Sequence, residues 1–199
     1  MKSTSVLMGA AIAAASAVTM AAATESPAIK IASAKVTITG TTNVHGYTAS
    51  TSTVRIISAN AGAFEGGLMQ LVQKPALLET FEIAILAASL KSPKDGIDKN
   101  MHKALKADKF AEITFRMKSL ENRGTGVRAL GTLTIAGVSK DIVLDLATER
   151  SGSNLSVIGE IPLLMTDYGV TPPKAMLGMM KTDPKIVIRL ELVLAPTVS

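Results

Sequence analysis

Residues 185–197 read KIVIRLELVLAPT. Ile186, Ile188, Leu190, Leu192 and Leu194 take alternate positions, with Val187, Arg189, Glu191 and Val193 between them. Successive side chains of a strand point to opposite faces. One face of this segment is therefore wholly aliphatic while the other carries charge, the signature of a half-buried antiparallel strand. Such a strand needs a second apolar surface to cover its aliphatic face.

The same periodicity supplies that surface elsewhere. Val36 and Ile38 alternate with Lys35, Thr37 and Thr39; Phe81, Ile83 and Ile85 oppose Glu82 and Ala84. Ile113, Phe115 and Met117 oppose Thr114, Arg116 and Lys118. Leu133 and Ile135, then Ile142, Leu144 and Leu146, flank residues 136–140 (AGVSK), a short Gly-containing connection suited to a hairpin. Leu155, Val157, Gly159 and Ile161 continue the series. Turns are expected at 121–124 and 150–154, and a loop or bulged corner at the Gly-rich stretch 60–67. About eight antiparallel strands result, which leaves a closed barrel and a sandwich both open.

One segment departs from this pattern. In SPKDGIDKNMHKALKADKF, Ile97, Met101, Ala104 and Leu105 recur at i, i+4, i+7 and i+8, a single apolar helical stripe. Asp95 is the expected N-cap, with Asp98 completing a capping box. Lys99, Lys103 and Lys106 share the opposite face. The fold class is thus all-β with one short helical insertion. The six lysines between 91 and 109 outnumber Asp95, Asp98 and Asp108, and they read either as a solvated helix face or as a contact for anionic headgroups through Lys99, Lys103 and Lys106.

The opening MKSTSVLMGAAIAAASAVTMAAATES sets Lys2 before an apolar run, Val6 to Met20, and ends it with three alanines. That is the layout of a secretory signal peptide cleaved near residue 23. The expected organisation is a signal peptide over 1–23, a loose lead-in over 24–34 and a single domain over 35–199, exported to the periplasm or the medium. The chain has no cysteine, so it forms neither disulfides nor thiolate metal sites. Aromatic residues make up 3% of it, too few to stack on bases, and nucleic acid is not an expected partner.

The residues that chemistry would need are scarce. Only His45 and His102 are present as histidines, and a metal site calls for about three protein ligands. No Gly-x-Ser-x-Gly elbow, phosphate loop or facing carboxylate pair occurs. The chain reads as a non-enzyme with no metal and no cofactor. His45 lies between two predicted strands, and His102 follows Asp98 by four residues; both are candidates for contact with a polar headgroup.

Four stretches recur in a fixed order: GTTNVHGYTA (40–49), GIDKNMHKALKADKFAEITFRM (96–117), GTLTIAGVSKDIVLDL (131–146) and MTDYGVTPPKAMLG (165–178). Together they resemble the YceI-like family of exported bacterial proteins, and the resemblance runs from about Lys35 to Leu194. The resemblance implies an extended, eight-stranded, antiparallel, lipocalin-like β-barrel. It also implies a tunnel for long apolar molecules such as polyisoprenoid quinones or related lipids, with the helical insertion near the barrel mouth. The family often carries more aromatics than the four Phe, two Tyr and no Trp found here, so this cavity would be aliphatic and Met-rich.

Apolar binding needs no special residue, because burial of apolar surface contributes about 25 cal/mol per Å². Ile83, Ile85, Ile113, Phe115, Leu133 and Ile135 are candidate lining residues, as are Leu144, Ile188 and Leu190. Met101, Leu105, Met165 and Met176 add flexible apolar groups. The segment 165–178 is expected to be a flap, stiffened by Pro172-Pro173, that packs Met side chains over one barrel end with Tyr168 as a polar-tipped gate. The expected function is carriage or storage of an isoprenoid- or quinone-like lipid by a monomer or weak homodimer. A β-sandwich or filled barrel serving as a structural or protein-interaction module is the alternative.

Overall fold

A computed structural model describes residues 29–64 and 67–197, with only the backbone at Ala175 and Met176. The expected signal peptide, residues 1–23, lies outside the described residues, as do 24–28 of the lead-in.

Ten strands follow in order: β1 (Ile29–Thr42), β2 (Gly46–Thr51), β3 (Val54–Ala61), β4 (Leu78–Leu86), β5 (Glu112–Asn122), β6 (Gly126–Ile135), β7 (Val138–Ser151), β8 (Asn154–Leu164), β9 (Lys174–Ala175) and β10 (Met180–Pro196). Helix α1 (Met69–Gln73) precedes β4, and α2 (Asp95–Ala104) lies between β4 and β5. The sheet runs β2-β1-β10-β8-β7-β6-β5-β4-β3, all antiparallel, and β9 pairs with β10 off this path. The terminal strands β2 and β3 are consecutive in the chain, Thr51 to Val54, so the sheet curls until its two edges approach at that end. The edge of β2 is covered by a bridge from Ser50 to Lys91, with N–O distances of 2.7 and 2.9 Å. This is the lipocalin-like β-barrel, with nine strands on the main path where about eight were expected.

Residues 29–34 belong to β1 and pair with β10 from Ile29↔Pro196 onward, which corrects the expected loose lead-in. A register shift between Ile31 and Ser33 breaks the alternation there and hides the strand from a period-two reading. β3 escapes the same reading for the same reason: a shift between Ile56 and Ser58 leaves Ile57 exposed. The hairpin between β6 and β7 turns on Ala136 and Gly137, both at positive φ (50° and 82°), the geometry of a tight two-residue hairpin. At Gly131 the ring of Phe115 and the Arg116 carbonyl occupy the space a Cβ would need.

The interior divides in two. In one half of the barrel Val36, Leu71, Val157, Leu190, Leu192 and Leu194 form a packed cluster, with α1 inserting Leu71 and Val72 into it. In the other half Ile38, Ile113, Ile135, Tyr168 and Val170 cluster under α2. The filled half and the second half share the same inward faces of the same strands.

Candidate functional site

A cavity of about 240 Å³ opens at the end of the barrel where β1, β6 and β8 finish and β5 and β10 begin. Its walls are inward residues of five strands: Ile38, Ile113, Ile135, Leu163, and the pair Ile186 and Ile188. Ile97, Met101, Ala104 and Leu105 of α2 and its C-terminal turn cover it. The apolar stripe of α2 therefore faces the cavity, while Lys99, Lys103 and Lys106 are exposed on the far side. Polar groups gather with Pro173 and Met180 at the mouth: Thr42, His45, Tyr47, Lys94, Asn100, Lys174 and Thr182. Among the described residues no carboxylate lines the cavity.

The entry to α2 is fixed by Asp98 and not by an N-cap. Lys94 occupies the N-cap position without a side-chain cap, and Asp95 is the first helical residue, which corrects the expected capping box. Buried Asp98 reaches back to accept a hydrogen bond from the Ser92 N–H at 2.7 Å, and Lys91 Nζ lies 3.6 Å from its other oxygen. Burial works to raise this carboxyl, but its Ser92 and Lys91 partners outweigh that and hold it below the usual carboxylate range.

Tyr168 ends a 3-10 turn, Met165–Tyr168, closed by Gly169 at φ 63°. This turn lies against both β7 and β8. Those strands pair only from Leu146↔Gly159 to Ser151↔Asn154 and then separate. Lys140 of β7 and Asp167 of the turn approach to 3.9 Å across this region. Tyr168 is 2% exposed, lines the cavity, and its hydroxyl has no hydrogen-bond partner among the described residues. Burial first, and then the charge of Asp167, push its phenol above its ordinary pKa. Burial and Asp183 do the same at Tyr47.

The structure gathers Met101, Leu105, Ile113, Ile135, Met165, Tyr168, Ile188 and His45 around the cavity. Ile83 and Leu190 belong instead to the filled half. Ile85 and Phe115 pack against both clusters, Leu133 sits within the second, and Leu144 is buried; none of the four lines the cavity. His102 does not line it either, because its Nε2 is tied to the Leu90 carbonyl at 2.8 Å. The Met176 side chain lies outside what is described. Ile38 and Ile186 were reachable from the alternation, and Ile97 from the helical stripe. Lys94, Lys174 and Met180 carried no periodic signal, since they stand at element ends: Lys94 at the N-cap position of α2, Lys174 in the two-residue β9 and Met180 at the start of β10.

The expected flap is present in altered form. Met165 and Met180 line the cavity, but Met179 is 68% exposed and covers nothing, and Tyr168, expected as a polar-tipped gate, is buried in the cavity wall. The flap is held by Asn43, which donates to the Met179 carbonyl at 2.9 Å and accepts from the Lys181 N–H at 2.8 Å.

Comparison with known proteins adds a frame to this geometry. Among curated proteins none matches the chain. Among solved structures, Burkholderia cenocepacia BcnA is similar, with TM-score 0.62 and 17% identity over 80% of this chain and 95% of that one. A polyisoprenoid binding domain from Saccharophagus degradans, implicated in plant cell wall breakdown, has TM-score 0.63 and 14% identity over 86% of this chain and 100% of its own. The Campylobacter jejuni YceI protein has TM-score 0.52 and 23% identity, over 73% and 85% respectively. At these identities the likeness is one of fold. The family model for the YceI-like domain matches residues 29–194, and this protein therefore belongs to the YceI-like family.

Proposed function

We propose that the protein binds one hydrophobic or amphiphilic lipid, isoprenoid- or quinone-like in class, in the cavity beneath α2, for transport or storage. The observation that carries this reading is the segregation of the lining. Aliphatic side chains from five strands and α2 form the walls, and polar groups stand only at the mouth and at Tyr168. A small number of placed polar groups in an apolar pocket fixes the orientation of a ligand. Each methylene that enters contributes about 0.8 kcal/mol. Among the described residues the buried Tyr168 hydroxyl finds no acceptor, a cost that a ligand oxygen would remove. Its place in the wall supports a lipid whose polar atom lies within the barrel.

The filled half of the interior limits how much of a ligand the barrel holds at once. The cavity is smaller than the roughly 300–1,000 Å³ usual for ligand sites. A long chain therefore displaces Met101, Met165 or Met180, whose side chains are flexible, or leaves part of itself at the mouth. The arrangement supports binding and not catalysis, because the histidine of α2 is engaged by backbone and His45 bonds the carbonyl of Gly46. Export to the periplasm or the medium, and contact with anionic membranes through Lys99, Lys103 and Lys106, complete the reading.

Native mass spectrometry of protein purified from its host, with lipid extraction, is the test. A co-purifying apolar molecule is expected, together with a rise in unfolding temperature on adding prenols or quinones to emptied protein. Protein that is always empty and gains no stability from either class defeats the proposal.

A further inference from the structure

Three arrangements that oppose folding in water meet beside the cavity mouth. Leu177 is fully exposed, and its φ of 55° lies in the left-handed region that favours glycine. Met179 and Val44, at 68% and 66%, are the next most exposed large apolar residues among those described. Asn43 stitches the Val44 turn to the Met179 and Lys181 backbone, which sets this turn beside the segment that carries Leu177 and Met179. Finally, Lys174 and Lys181 stand directly opposite one another in the β9–β10 pair, like charges on facing strands. Among the described residues neither ammonium has a carboxylate within 4.0 Å. Lys174 itself lines the cavity, as does Lys94.

We propose that this tip docks on an anionic lipid bilayer, with the cavity mouth facing the membrane. Val44, Leu177 and Met179 enter the boundary between headgroups and acyl chains, and Lys174 and Lys181 sit among the phosphates. Apolar groups bordered by lysine are what an anionic bilayer surface accepts. A single occupant accounts for all three costs: it covers the apolar tip, neutralises the lysine pair and gives the strained Leu177 a partner. Asp183 is the one carboxylate in the stretch from Gly169 to Lys185. A second copy of the chain fits less well, since a two-fold contact on this patch would bring lysines against lysines. The docking extends the lipid-binding reading by placing the mouth where a lipid enters, and it rests on that reading for its purpose alone.

The test is sedimentation of the purified protein with vesicles of phosphatidylcholine, with and without phosphatidylglycerol. Binding is expected to the anionic vesicles, to weaken with added salt, and to fall about tenfold or more in Leu177→Gly and in Met179→Ser. Leu177→Gly also relieves the left-handed strain, so its unfolding temperature stays level or rises while its vesicle affinity falls. A purely structural Leu177 would not separate the two readouts. Lys174→Gln with Lys181→Gln is expected to weaken the salt dependence, Lys99, Lys103 and Lys106 of α2 supplying what remains.

Wild-type protein that ignores anionic vesicles, or Leu177→Gly that binds them as tightly as wild type, overturns the proposal. So does a dimer in sedimentation velocity that Leu177→Gly abolishes while vesicles remain unbound. Failure of the lipid-binding reading looks different. Protein that gains thermal stability from geraniol or decanol in vesicle-free buffer, yet ignores vesicles, keeps its ligand function and loses the docking. Protein that sediments with anionic vesicles, yet gains nothing from any apolar compound, keeps the docking and loses the ligand.

Discussion

Asn43 and Lys181 exchange two hydrogen bonds across 138 residues of chain: the Lys181 N–H donates to Asn43 Oδ1 at 2.8 Å, and the Asn43 N–H donates to the Lys181 carbonyl at 3.1 Å. This pair closes the β1–β2 turn against the start of β10, beside the cavity mouth. Asn43→Ala removes the side-chain bonds to Lys181 and to the Met179 carbonyl. The site is exposed, so the expected loss is about 1 kcal/mol. Hydrogen exchange is expected to speed up at residues 179–181, and bound lipid to leave faster, with the β7–β8 hairpin unaffected. Unchanged exchange at Lys181 would mean that the flap is held by other contacts.

Tyr168→Phe separates stability from binding. The hydroxyl is buried without a partner among the described residues, and its removal is expected to stabilise the empty protein by about 1 kcal/mol. With a ligand that presents an oxygen to this site, the same change is expected to lower affinity about tenfold, the effect of about 1.4 kcal/mol. Calorimetric unfolding with and without ligand reads both effects. A Phe variant less stable than the parent when empty would show that the hydroxyl is satisfied, and the ligand contact would lose its basis.

The two halves of the barrel are expected to respond differently to truncation. Leu192, 3% exposed in the filled half, does not line the cavity, and Leu192→Ala is expected to cost about 2–5 kcal/mol without changing ligand affinity once the protein is folded. Ile135→Ala enlarges the cavity itself and is expected to change which chain lengths bind. Chain-length profiles for a series of alkanols distinguish the two variants; identical profiles would mean that the halves communicate.

Acid is expected to destabilise the fold below about pH 4. Hydrogen bonds from Lys118 and then Thr132 hold Asp141 below its ordinary pKa, and the bond from Arg128 does so for Asp145. Asp98, as described, is lowered against the opposing effect of burial. A carboxyl whose folded pKa lies below the unfolded value of about 3.9 contributes stability that is fully present above that value. That stability is lost as pH falls through the folded pKa. Asp141→Asn is expected to flatten the acid limb of a plot of unfolding temperature against pH. An unchanged limb in Asp98→Asn and Asp141→Asn together would assign it to other groups.

Much of the strand framework was legible because alternation is a local property. Ile186, Ile188, Leu190, Leu192 and Leu194 point inward as their spacing requires, and so do Leu155 and Val157 of β8. Strands with shifted register were not legible, since one extra residue at Ile31–Ser33 or Ile56–Ser58 moves every later side chain to the other face. The stripe of Ile97, Met101, Ala104 and Leu105 identified the α2 face that meets the cavity. The Asp98 contact was misread because its partner, the Ser92 N–H, lies before the helix and not within it.

The sequence by itself determined which side chains face inward, because a period of two leaves a strand residue only two faces to choose from. It could not say which inward residues would line a cavity and which would pack. Leu190 and Ile188 sit two positions apart on one face of β10, yet Leu190 belongs to the filled cluster and Ile188 to both its margin and the cavity wall. Their difference arises across the barrel, where α1 drives Leu71 and Val72 into one half while α2 only roofs the other. Space is a property of what stands opposite a side chain, and only the tertiary structure decides that.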